Sequence, residues 1–168
     1  MNPLLTTIIT NITAHVPQEN KDEFNRVVLA GKKIMFDAKF HANMEIVKNP
    51  ASRQNPVETI STGVTGLLWM LYLKSNKTLQ PMSLIMAGAI FMAEVYDFAE
   101  RAYQIPVTNE NVAETWKRTC SKIFMKLGVT PEQLHQAVEK GANEIQQHQA
   151  NQAKGGVLNA GQANAEQA

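Results

Sequence analysis

Two uncharged apolar stretches dominate the pattern of hydrophobic and polar positions along this chain. The first covers 59–73 (TISTGVTGLLWMLYL), between Glu58 and Lys74, and the second covers 78–93 (TLQPMSLIMAGAIFMA), between Lys77 and Glu94. A surface helix carries a single apolar stripe, whereas these stretches are apolar nearly all round. As helices they would span about 22 Å and about 24 Å at ~1.5 Å per residue. Both lengths fall short of the ~30 Å hydrocarbon thickness of a bilayer. The pair therefore predicts a protein-buried helical hairpin, apolar enough to pack between subunits. Membrane insertion is the alternative, because Trp69 and Tyr72 sit near one end as interface aromatics do. The small residues Ser83, Ala87, Ala89 and Ala93 suit close helix–helix packing in either setting.

Around the hairpin the periodicity is helical, and no run alternates with period two between turn residues. Leu4, Leu5, Ile8, Ile9 and Ile12 mark a short helix over 3–15. Phe24, Val27, Val28, Ile34, Met35, Ala38 and Val47 form a stripe that predicts one long amphipathic helix over 19–47, ended by Asn49-Pro50. The next helix starts near Val57 and runs to about Lys74. It contains Gly63 and Gly66, each costing about 1 kcal/mol relative to alanine. Pro81 opens another helix at its first position, which ends near Tyr103, before Pro106. Thr108 or Asn109 caps a helix that stops at Gly128. Thr130-Pro131-Glu132-Gln133 then combines a capping threonine, a first-turn proline and a glutamine placed to reach back. Leu134, Val138, Gly141 and Ile145 mark the inner face of that last helix.

After Gln146 the chain turns to Gln, Asn, Ala and Gly, with almost nothing to bury, which predicts a flexible tail. The expectation is an all-α protein. A helical bundle of about five to six helices over 1–146, built on a central apolar hairpin, precedes a Gln/Asn/Ala-rich tail over 147–168.

Composition narrows the function classes. A net charge of +1 gives no field to recruit nucleic acid or anionic lipid, so a primary nucleic-acid binder is not expected. The single cysteine, Cys120, excludes an intramolecular disulfide and a zinc site built on several thiolates. Its basic surroundings (KRTCSKIF) would lower its pKa, but the expected case is the far commoner one of a half-buried, inert helix cysteine. The first residues lack a positive n-region and a small-residue cleavage site, so synthesis in the cytoplasm without general export is expected.

Candidate chemistry is sparse. Glu94, Asp97 and Glu100 share a helical face and read as a solvated acidic stripe. Asp37, His41 and Glu45 fall at i, i+4 and i+8 of the long helix, and Glu132 with His135 forms a lone Glu-x-x-His. A di-iron bundle needs two such pairs and further glutamates, so no metal or other cofactor is expected. No nucleophile elbow, phosphate-binding glycine loop or zinc-protease motif occurs, and an enzyme is not expected. Lys117, Arg118, Lys122 and Lys126 make a positive stripe, a solvated face by default. They are also the candidate contacts to phosphate, whether DNA backbone or lipid headgroup. For contact between copies or with a membrane, the candidates are Leu67, Leu68, Met70 and Leu71 on the first hairpin arm and Ile85, Met86, Ile90 and Phe91 on the second.

The apolar block running into an acidic helix (PMSLIMAGAIFMAEVYDFAER, 81–101), followed by the Gln/Asn/Ala-rich tail (146–168), resembles the small α-helical virion proteins of tailed bacteriophages. The resemblance covers about half of the chain and is one of style, so it carries no catalytic residue. It implies a non-enzymatic, homo-oligomeric structural protein of the particle, of the internal or ejection type, helping form a conduit for genome delivery. The implied partners are other virion proteins, with host membrane contact during infection. Two further readings stand beside it: a small holin-like pore protein, and a soluble helical adaptor that binds through 19–47.

Overall fold

The computed structural model describes residues 1–41, 44–130, 132, 133 and 136, and every regular element among them is helical. In chain order these are α1 (Pro3–Ala14), α2 (Lys21–Phe36), the single turns α3 (Ala38–His41) and α4 (Glu45–Lys48), α5 (Pro56–Lys74), α6 (Pro81–Tyr103) and α7 (Asn109–Lys126). Short 3-10 turns at Gln18–Asn20 and Pro50–Gln54 complete the set. The chain divides into two compact units, Met1–Leu127 and Gly128–Ala168.

Local chemistry sets the helix ends. The Asn2 side chain accepts from the Leu4 N–H, the Asn55 side chain from the Glu58 N–H and the Thr108 hydroxyl from the Asn111 N–H. Each satisfies a donor that the first helical turn leaves without a partner. Pro3, Pro56 and Pro81 take first-turn positions where a missing N–H costs nothing. Gln104 closes α6 in the left-handed region at φ 57°, and Gly128 follows α7 at φ 85°. In the second unit the Thr130 hydroxyl accepts from the Gln133 N–H at 3.2 Å and the Gln133 side chain accepts from the Thr130 N–H at 2.9 Å. This is the reciprocal cap that the sequence predicts there. Leu134, His135, Val138, Gly141 and Ile145, together with the 147–168 tail, lie outside the described residues.

The long helix expected over 19–47 is instead broken at Asp37, whose backbone turns extended (φ −69°, ψ 128°). Its carboxylate accepts the Lys39 N–H at 2.8 Å, so Asp37 caps a new turn rather than continuing the old one. Asp37, His41 and Glu45 consequently do not share a helical face.

Helix α6 is the centre of the first unit and packs against α1, α2, α5 and α7. Fourteen of its 23 residues are buried, from Ser83 to Ala99. Among the described helices it alone is long and apolar enough to cross a membrane, but most of it lies inside the protein. Two close approaches fix its neighbours. Phe91 packs over Gly31 of α2, where a side chain on the glycine would collide with the ring. Gly88 gives the same room to Leu68 of α5. The hairpin is thus the core of this unit, and the apolar faces of the other long helices wrap it.

The acids of α6 depart from the solvated stripe expected of them. Asp97 is buried and takes an ion pair from Arg101 one turn later, Glu94 pairs with Lys32 of α2, and Glu100 accepts from the Asn2 side chain at 3.0 Å. The packing of α1 and α2 against α6 covers this end of the helix and brings protein donors to its carboxylates, although Asp97 Oδ1 has no hydrogen-bond partner among the described residues and only the amino terminus of Met1 beside it at 3.7 Å.

Candidate functional site

The break at Asp37 opens a concavity in the first unit. Because α2 ends there, the α3 and α4 turns cross to α5 and leave a groove of about 530 Å³. Ile34 and Met35 of α2, Phe40 of α3 and Ile46 of α4 form its walls. Along the α5 side run Thr59, Gly63, Val64, Leu67 and Met70, and Val95 of α6 reaches it from below. Ile46 is fully packed, and its carbonyl accepts the Arg53 Nε–H at 3.0 Å, while the Arg53 guanidinium sits 3.7 Å from the Tyr103 ring centre. Phe40 remains 44% exposed, and Gly63 has nothing within 4 Å of where a side chain would begin. The polar groups on the rim are Glu45, Glu58, Thr59 and Thr62.

A polar seam between α5 and α7 borders the groove. Glu58 accepts from Lys122 at 2.6 Å and from Arg118 at 3.1 Å, and Arg118 also pairs with Glu114 at 2.8 Å. Lys122 donates to the hydroxyls of Ser61 (3.0 Å) and Thr62 (2.7 Å). Deeper in, the Tyr96 hydroxyl lies 2.7 Å from the Thr115 hydroxyl and 3.1 Å from the Asn111 carbonyl. The buried hydroxyls of Thr65 and Thr119 donate to carbonyls one turn back on their own helices. The seam is hydrogen-bonded within itself, as buried polar groups must be.

Electrostatics in the seam follow from these contacts. The hydrogen bonds from Lys122 and Arg118 lower the Glu58 pKa to about 2. The Arg118–Glu114 hydrogen bond holds Glu114 below its ordinary value and, with the bond to Glu58, holds Arg118 above its own. Burial pushes the Tyr96 phenol up. It also pushes the Cys120 thiol up to about 11, so the basic neighbours do not activate it. A lowered carboxylate pKa stabilises the fold above the unfolded value and loses that contribution as the pH falls from about 4.5 toward 2. Because the Glu58 side chain is 44% exposed, screening holds its share to about 1 kcal/mol. Urea unfolding of Glu58→Gln should show a lower midpoint than wild type at pH 7, with the gap closing near pH 2. A gap that persists at pH 2 would show that the ion pairs are not its source.

The residues singled out for contact by sequence divide unequally. Leu68, Leu71, Met86, Ile90 and Phe91 are buried in the chain's own core, and Ile85 is half-buried against it. Leu67 and Met70 line the groove. Of the cationic stripe, Arg118 and Lys122 are held by Glu58, the Lys126 ammonium lies 5.3 Å from the Trp69 ring centre, and Lys117 is exposed. Three of the four therefore tie α7 to α5. No group of three or more metal-ligating side chains occurs among the described residues. The groove itself was not foreseen. Its signal was present in Phe40, an aromatic residue that falls off the apolar stripe read over 19–47 and remains exposed.

The chain matches no family model, no curated protein and no solved structure.

Proposed function

We propose that this protein is a non-enzymatic structural component of a tailed-phage virion, an oligomeric internal or ejection-type protein that works by docking helices against other subunits. The observation that carries this reading is the apolar groove beside α5, with Phe40 exposed at its wall. A concave apolar surface rimmed by a few polar groups is built to hold an apolar partner. The resemblance of 81–101 and 146–168 to phage virion proteins supplies the setting: a particle in which many copies of one small helical chain pack together. In that setting Lys117, exposed and adjacent to the paired Arg118, is the cation best placed for weak contact with the DNA backbone.

Expression of the full chain, followed by fractionation and sedimentation, tests this reading. The expected result is a water-soluble multimer that forms with rising concentration and leaves liposomes unfloated. Recovery only in membranes or detergent would overturn it in favour of the holin-like reading, for which α6 would have to leave its buried position. A monomer at every accessible concentration would overturn it in favour of an adaptor.

A further inference from the structure

We infer that the groove receives the outer face of α2 from a second copy of this chain. The inference rests on the assembly reading above and gives it an interface. Four residues of α2, Arg26, Leu29, Lys33 and Phe36, fall within a sector of roughly 80° at 100° per residue. All four are exposed, Leu29 by 59% and Phe36 by 56%. Leucine and phenylalanine this exposed, one turn apart from two cations, form an amphipathic strip with nothing on it. Neither Arg26 nor Lys33 has an ion-pair partner among the described residues.

Groove and strip match in length and charge. From Arg26 to Phe36 the strip is about 15 Å long, and the groove runs about 16 Å along α5 from Thr59 to Met70 at ~1.5 Å per residue. Gly63 gives its wall no side chain, so a helix can approach closely enough to seat an aromatic ring. Glu45 lines the groove and, among the described residues, accepts only the neutral donors Asn49 (3.0 Å) and Ser52 (3.2 Å), which leaves its charge available to a lysine from outside. Glu58, on the same side as Thr59, is already matched by Arg118 and Lys122, so Glu45 is the acid that Lys33 of the incoming helix meets.

The symmetry follows from the geometry. On the groove side of α2, Ile34 points roughly 150° and Met35 roughly 110° away from the Leu29–Phe36 strip at 100° per residue. Strip and groove are thus different faces of one subunit, and joining them makes a head-to-tail contact. Such a contact propagates into a ring where the rotation closes and a filament where it does not. A tube-like part is built in this way.

Sedimentation of the full-length chain and two variants decides the matter. Phe36→Glu spoils the strip and Gly63→Trp fills the groove. Both positions are open to solvent, so circular dichroism should report native helix content in each. Each variant alone is expected to associate at least tenfold more weakly than wild type. Mixed together they should form discrete one-to-one dimers through the single intact contact that remains. Glu45→Lys should weaken assembly and Lys33→Glu in the same chain should restore it. Wild-type assembly with both variants assembling normally would overturn this interface and leave the assembly reading standing. A wild-type chain that stays monomeric would overturn both.

Discussion

Gly31→Ala is expected to destabilise the protein more than any other glycine-to-alanine change among the described residues. A Cβ at position 31 would fall inside the van der Waals envelope of the Phe91 ring, against Cζ and Cε1. Real atoms do not approach so closely, and the ring has nowhere to go. Phe91 is fully buried at the contact of α2 with the central helix α6. Either the ring leaves its rotamer or α2 moves away from α6, and overpacking of this kind costs about 3 kcal/mol. For a chain of this size that lowers the thermal midpoint by roughly 6–12 °C. Phe91→Leu placed in the Gly31→Ala background should recover part of the loss, since it removes the colliding atoms. Gly63→Ala is the control: nothing lies within 4 Å of the new methyl group, and alanine favours helix over glycine by about 1 kcal/mol. Calorimetry on the three variants reads the contrast directly. Equal midpoints for Gly31→Ala and Gly63→Ala would mean that α2 does not pack on Phe91.

The same pair of glycines shows what could be read from the chain before its fold was known. Both are helical; Gly31 falls on the apolar stripe between Val27 and Met35, but the sequence does not say that a ring from another helix fills its place, whereas Gly63 faces open space. Helix ends were legible because capping is local: Asn2, Asn55, Thr108 and the Thr130/Gln133 pair act on donors within three residues. The apolar hairpin was legible because an uncharged stretch has few alternatives to burial. The break at Asp37 was not, because the apolar period continues through Ala38, and an aspartate is tolerated in a helix as well as favoured at a cap. The groove depends on that break, so it was hidden with it. The pairing of Arg118 and Lys122 with Glu58 was hidden for a different reason. A positive stripe looks the same whether its partner is water, phosphate or a carboxylate about 60 residues away. Nor does an apolar helix say which of its sides will meet its own chain, so five of the eight residues proposed for outside contact lie in the core.

Leu71→Glu separates those two fates most sharply. If Leu71 met another subunit or a membrane, a charge there would block assembly and leave the subunit folded. In the structure Leu71 is 7% exposed and belongs to the core cluster between α5 and its neighbours. A glutamate there must either ionise without a partner or enter the core as an acid with its hydrogen bonds unmade. Either route adds to the loss of leucine packing and costs at least about 4 kcal/mol. Domain stabilities of roughly 5–15 kcal/mol leave little margin for such a loss. The variant should therefore lose its cooperative thermal transition and become sensitive to protease, rather than persist as a folded monomer. Leu73→Glu, two residues on at 44% exposure, should stay within about 0.5 kcal/mol of wild type. A Leu71→Glu protein that melts like wild type yet fails to assemble would return the hairpin to the subunit interface. It would also remove the reason for placing that interface in the groove.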